Sequence, residues 1–292
     1  MGLTRLGVLG WPVAHSRSPA IHNAALRAVG LDGWRYQHLP VPPELFAETV
    51  RALAGAGFVG ANVTIPHKEA ALALAGEATP AARTIGAANT LRFEDGAIAA
   101  DNTDAPALLA ALGDRRPSSA MVLGAGGSAR AAVHALTQAG AAVMVWNRTT
   151  ERARALAADL GAEAVAAPRA AELLVNCTSV GLADPLTTFK ELPLNADGIG
   201  EYACVVDLVY RTGGTQLVRE ARRRGSQTID GLEILVRQGA LSFEAWTGRA
   251  APLEVMRLAA RDDVPHRDEP VSRTPPPSPG RAGNGRGRGA GR

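Results

Sequence analysis

Apolar residues fall into two kinds of run along this chain. Short, nearly unbroken runs such as Leu6-Gly7-Val8-Leu9, Met121-Val122-Leu123 and Leu173-Leu174-Val175 are bounded by glycines or polar clusters, while longer segments repeat apolar positions at helical spacing. The short runs predict buried strands and the long ones amphipathic helices. Arg5 to Gly10 reads as the first strand. Ser18-Pro19 then opens a helix, with a capping serine and a proline in its first turn, and Gly30 lies beyond its end. Trp34 to Leu39, a helix from Glu44 to Ala54 and a strand from Gly60 to Thr64 repeat the alternation, which predicts a largely parallel sheet covered by helices. Asp95-Gly96 between Thr90 to Phe93 and Ala97 to Ala99 predicts a tight hairpin, so this sheet is mixed.

After a helix from Ala105 to Leu112 and the polar break Arg115 to Ser119, a second series begins. Strands at Ala120 to Leu123, Ala142 to Trp146, Leu173 to Asn176 and Ala203 to Leu208 alternate with helices at Ser128 to Ala139, Glu151 to Leu160 and Gln216 to Arg224. This is a doubly wound pattern. Two more helical stretches follow, Leu232 to Thr247 and Leu253 to Ala260. The fold class is therefore α/β in two domains: residues 1–104, completed by helices over 232–261, and residues 105–231. The core of the crossover lies between Asp104 and Ser119. Residues 262–292 hold six prolines and six glycines and almost no apolar side chains, which predicts a disordered tail.

Composition narrows the function. Hydrophobic residues make up 46% of the chain but aromatics only 4%, so helices packed through alanine are expected. The pI of 9.2 comes from the tail, where Pro270 to Arg292 carries five arginines and no acid. Residues 1–269 hold 26 basic and 28 acidic side chains, so the body offers no broad cationic surface for nucleic acid. The Arg-Gly ending lacks the aromatics that stack on bases, and a solvated tail is the better reading. Cys177 and Cys204 form no CxxC pair and six histidines show no ligand spacing, which argues against a disulfide framework and against a metal. Without a leader-like start or a membrane-length apolar run, a reduced cytoplasm fits best.

The chemistry lies in the polar clusters. Gly124-Ala125-Gly126-Gly127-Ser128-Ala129 follows a strand and opens a helix, so its backbone amides can face a pyrophosphate. Gly124 permits the turn, Gly126 close phosphate approach and Ala129 close helix packing. Asn147-Arg148-Thr149 comes 23 residues after Gly124, where an acid would accept the ribose hydroxyl of NAD; an arginine there accommodates a 2′-phosphate instead. NADP is the expected cofactor. His15-Ser16-Arg17-Ser18-Pro19 suits a carboxylate, and Asn62 to Lys68 with Asp101-Asn102-Thr103-Asp104 supplies a lysine, two aspartates and several amide or hydroxyl groups for a small polyhydroxylated molecule. Cys177 reads as a packed thiol, since no histidine stands in an informative relation to it.

Taken in order with Gly86-Ala87-Ala88-Asn89-Thr90, these segments resemble the shikimate dehydrogenase family from about Leu6 to Ala260. The resemblance implies a substrate domain followed by a Rossmann-like NADP-binding domain, and the reversible NADPH-dependent reduction of 3-dehydroshikimate to shikimate in aromatic amino-acid biosynthesis. By the same resemblance Ser16, Ser18 and Tyr210 hold the carboxylate, and Thr64, Lys68, Asn89, Asp104 and Gln238 address the ring oxygens. Lys68 and Asp104 form the catalytic pair. Gly124, Ala125, Gly126, Gly127, Ser128, Asn147, Arg148, Thr149, Thr178, Leu208 and Gly231 line the dinucleotide. Two positions depart from the family pattern: Leu208 stands where methionine is common, and Thr212 to Leu217 lacks the usual Thr-Pro, which predicts a looser helix start. A quinate or aminoshikimate dehydrogenase is the competing enzyme, and a non-catalytic shikimate-binding regulator the competing binder. Arg148 argues against an NAD-preferring quinate enzyme, and the retained Lys68, Asp104 and glycine turn against a regulator. Monomer and homodimer both stay open.

Overall fold

The structure is a computed structural model that describes residues 2–211 and 213–262. The tail read as disordered lies outside the described residues beyond Asp262. Two six-stranded sheets organise the rest. The first contains β1 (Thr4–Gly10), β2 (Trp34–Pro40), β3 (Phe58–Val63), β4 (Glu77–Ala78), β5 (Thr90–Glu94) and β6 (Ala97–Asp101), in the order β2-β1-β3-β5-β6-β4. β1 pairs parallel with β2 and β3, while β5 runs antiparallel to both β3 and β6. Asp95 and Gly96 close the β5–β6 hairpin with φ of 50° and 81°, the left-handed pair such a two-residue turn requires. The mixed sheet expected from the sequence is present.

The second sheet contains β7 (Ser119–Leu123), β8 (Ala142–Trp146), β9 (Glu163–Ala164), β10 (Leu173–Asn176), β11 (Cys204–Asp207) and β12 (Gln227–Asp230), in the order β12-β11-β10-β7-β8-β9. Every pairing is parallel. The order reverses between β7 and β10, so the loops after these two strands diverge and open the crevice where ligands of doubly wound sheets collect. The continuous apolar runs follow from burial on both faces: Ala120 and Val122 of β7 join one core cluster, and Met121 and Leu123 the other.

The helices are α1 (Ser18–Ala28), α2 (Phe46–Gly55), α3 (Lys68–Leu74), α4 (Pro80–Ile85), α5 (Asp104–Leu112), α6 (Gly127–Gln138), α7 (Thr150–Leu160), α8 (Thr188–Glu191), α9 (Gln216–Arg223), α10 (Gly231–Thr247) and α11 (Leu253–Arg261). Phe243 of α10 and Met256 of α11 pack with Ile21 and Leu26 of α1 against Leu6 and Val8 of β1. The chain thus returns to the first sheet after completing the second. Alanine packing is evident where Ala129, Ala132 and Ala153 enter one core and Ala131 and Ala135 meet Ala87 and Ala105. Among the described residues, no helix is long and apolar enough to cross a membrane.

Local differences from the sequence reading have physical causes. Ser18 does not cap α1: Arg17 occupies the cap position, and Ser16 Oγ accepts from Ser18 N at 3.3 Å. The start of α9 is well held without Thr-Pro, because Thr215 Oγ1 accepts from Val218 N at 3.2 Å while donating to Asp207 Oδ2 at 2.6 Å. Strands of two residues such as β4 and β9 are too short to produce a periodic signal.

Candidate active site

The carboxyl ends of β1 and β3 face those of β7, β10 and β11 across a cavity of about 150 Å³. Ser16, Ser18, Thr64, Lys68, Asn89 and Asp104 line it from the first sheet's side. Ser128, Thr178, Leu208 and Tyr210 line it from the second, and α10 adds Gly231 and Gln238. All of the residues assigned to the substrate from the sequence therefore meet in one place. Gly124 to Gly127 and Asn147 to Thr149 lie outside the cavity wall.

Lys68 opens α3 directly after the Ile65-Pro66 bend, and Asp104 opens α5. Their side chains meet at 2.6 Å, with 11% and 14% exposure respectively. Asp104 Oδ1 also accepts from Asn89 Nδ2 at 2.8 Å, and its first-turn position is electrostatically favourable for a carboxylate. Lys68 Nζ donates a second bond to Ser128 Oγ at 2.8 Å. An ammonium has three donors, so one remains for a ligand. His67 is occupied elsewhere: it donates to the Val41 carbonyl at 2.7 Å and stacks on Phe46.

A second layer of buried polar groups lies behind this pair. Asn62 accepts from Tyr36 Oη at 2.8 Å and donates to Ser242 Oγ at 2.9 Å and to the Asn89 carbonyl at 3.1 Å. Ser242 Oγ also meets Thr90 Oγ1 at 2.8 Å. Asn89 Oδ1 accepts from Thr103 N at 2.8 Å, and its Nδ2 reaches Thr103 Oγ1, Asp104 and Gln238. This network fixes which way the Asn89 amide points. Sequence reasoning did not assign roles to Tyr36, Thr90, Thr103 or Ser242; the available signal was Ser242 one helical turn beyond Gln238, on the same face of α10.

Burial shifts several titrations here. His22, stacked on Tyr36 with ring centroids 4.3 Å apart, is pushed down to about 3. Burial raises Asp207 to about 6, against hydrogen bonds from Thr215, Val209 and Asn176 that favour its charged form. It also drives the Cys177 thiol far up, so this cysteine stays neutral beside the cavity.

The glycine turn fits a dinucleotide. Gly124 has φ of 109°, and a Cβ there would come within 3.2 Å of the Cys177 carbonyl group. Gly126 faces open space, with no atom within 4 Å of where its Cβ would stand, and α6 begins immediately after it. A phosphate can thus approach the free amides at the helix N-terminus. At the end of β8, Arg148 and Thr149 are exposed, Arg148 has no ion-pair partner, and Asn147 Nδ2 donates to the Thr149 carbonyl at 2.9 Å. An uncommitted guanidinium beside this turn matches a ribose phosphate.

Comparison with known proteins agrees with this geometry. Residues 8–91 match the shikimate dehydrogenase substrate-binding domain, residues 109–180 the shikimate/quinate 5-dehydrogenase model, and residues 231–261 the shikimate 5′-dehydrogenase C-terminal domain. The shikimate dehydrogenase (NADP(+)) of Thermus thermophilus is 46% identical over 264 residues, covering 89% of this chain and 98% of that protein. The Symbiobacterium thermophilum enzyme of the same name is 43% identical over 87% of this chain and 92% of its own length. A crystal structure of the Thermus thermophilus enzyme in complex with NADP(H) and shikimate has a TM-score of 0.80 and 44% identity, covering 89% of this chain and 99% of that one. The chain belongs to the shikimate dehydrogenase family.

Proposed function

We propose that this protein catalyses the reversible NADPH-dependent reduction of 3-dehydroshikimate to shikimate. The observation that carries the reading is the enclosed Lys68–Asp104 pair, which faces a small polar cavity next to a glycine turn suited to a dinucleotide. Residues 1–104 with 232–261 hold the substrate, and residues 105–231 hold the dinucleotide.

Ser16, Ser18 and Tyr210 receive the carboxylate at one end of the cavity, while Thr64, Asn89 and Gln238 address ring hydroxyls. Gly124, Ala125, Gly126, Gly127 and Ser128 hold the pyrophosphate, Asn147, Arg148 and Thr149 the 2′-phosphate, and Thr178, Leu208 and Gly231 the nicotinamide end. The bound dinucleotide supplies the hydride. As the ketone becomes an alkoxide, Lys68 delivers a proton to its oxygen, and Asp104 orients the ammonium and takes part in the return of the proton. An ammonium is the correct form for reduction, and oxidation runs through the coupled pair rather than through a free neutral amine. Asn89 holds the other oxygen of Asp104, so the pair enters the reaction already aligned.

All of these residues come from one chain, so both a monomer and a homodimer accommodate the site. The two free thiols suit a reducing cytoplasm. Adding 3-dehydroshikimate and NADPH should consume both and yield shikimate, identified by NMR. Absence of that product with folded protein overturns the assignment.

A further inference from the structure

Lys68 has a second partner that its pairing with Asp104 does not explain. Its Nζ donates to Ser128 Oγ at 2.8 Å, and Ser128 stands in the first turn of α6, the helix whose N-terminus faces the dinucleotide. The approach depends on small residues. A Cβ on Gly127 would meet Lys68 Cβ at 2.7 Å and Ala87 Cβ at 3.2 Å. Behind it, Ile85, Ala87 and Ala105 close against Ala131 and Ala135 of α6. Arg130 of the same helix donates to the Ile85 carbonyl, and a Cβ on Gly86 would meet its guanidinium at 2.7 Å. The start of α6 is therefore fixed on the segment that leads into Asn89, and Ser128 is held facing the lysine.

We infer that Ser128 is a positioning residue for Lys68: its hydroxyl oxygen fixes the ammonium from the dinucleotide side while Asp104 fixes it from the substrate side. A lysine carries its charge on a flexible four-carbon stem, and a single acceptor leaves the ammonium free to turn about that contact. Two acceptors on opposite walls leave the third N–H aimed into the cavity. Ser128 thereby ties the proton donor to the helix that binds the cofactor. The inference rests on the proton-transfer role proposed for Lys68.

The test compares Ser128→Ala and Ser128→Thr with the unaltered protein. Ser128→Ala should lower kcat about fivefold, the effect of losing one neutral hydrogen bond, and change KM for shikimate and NADP⁺ by less than about twofold. Ser128→Thr keeps the hydroxyl and should recover most of kcat. A second readout needs neither cofactor nor turnover: trinitrobenzenesulfonate labelling of Lys68 in the ligand-free protein, followed by peptide mapping, should be faster in Ser128→Ala than in Ser128→Thr. Unchanged kcat and labelling with a raised KM for NADP⁺ would make Ser128 a dinucleotide ligand only and overturn the inference. If the unaltered protein fails to reduce 3-dehydroshikimate, the labelling still decides whether Ser128 restrains Lys68.

Discussion

On the substrate side of the cleft, Asn62, Asn89, Thr90, Thr103 and Ser242 are buried and hydrogen-bonded to one another. On the dinucleotide side, Arg148 and Thr149 lie at the surface, and the glycine turn presents backbone rather than side chains. The difference follows from the two ligands. A small ring molecule bearing similar polar groups is discriminated only by donors and acceptors whose directions are fixed in advance, which requires a second buried layer. A long anionic cofactor is gripped by helix amides and an exposed cation with little preorganisation. One side invests in rigidity, the other in charge.

The contrast can be broken most strongly at Lys68. Lys68→Ala should lower kcat by roughly 10² to 10⁴, with a much smaller effect on KM for shikimate, measured by steady-state kinetics. Asn62→Ala should cost about 3 kcal/mol of stability in urea denaturation, because it leaves Tyr36 Oη, Thr90 and Ser242 short of a buried partner. Arg148→Ala should change stability by no more than about 0.5 kcal/mol.

Acid should affect the two sides in opposite directions. Below pH 6.5 an unfolded histidine takes up a proton that buried His22 refuses until about 3, so stability falls as pH drops through this window. Asp207 behaves conversely. Between its unfolded value of 3.8 and about 6 the native carboxyl keeps a proton that the unfolded one has lost, so its contribution rises as pH falls through about 6 and is complete below 3.8. At one pKa unit per 1.36 kcal/mol, each effect amounts to about 3 kcal/mol between roughly pH 6.5 and 4. Urea denaturation across that range should show His22→Gln losing the fall and Asp207→Asn losing the rise.

The smallest change is expected at the cofactor's edge. Arg148→Ala should raise KM for NADP⁺ about tenfold or somewhat more, the worth of a charge-assisted contact, and leave KM for NAD⁺ nearly unchanged.

What could be read from the sequence divides along the same line. The doubly wound sheet was legible because strands buried on both faces produce unbroken apolar runs, and the glycine turn because its backbone geometry restricts residue choice. Lys68, Asp104, Asn89 and Gln238 were named from family resemblance, but their convergence depends on β5, β6 and α10 coming together across more than 130 residues of chain. No spacing rule encodes that. Ser242 and Tyr36 stayed silent because a buried hydroxyl looks like any serine or tyrosine until its partners are known. Ser18 was misread as a cap because Ser-Pro is a common helix opening, whereas here Ser16 and Ser18 hydrogen-bond to each other at 3.2 Å at the mouth of the cavity. The thiol expected to pack at Cys177 does so.

The most direct measurement is the initial rate of oxidation of shikimate and quinate, each with NADP⁺ and NAD⁺, followed by absorbance of the reduced nicotinamide. The account expects shikimate with NADP⁺ to be clearly fastest in kcat/KM. Faster turnover of quinate, or of NAD⁺, would contradict the roles given to the substrate cavity or to Arg148.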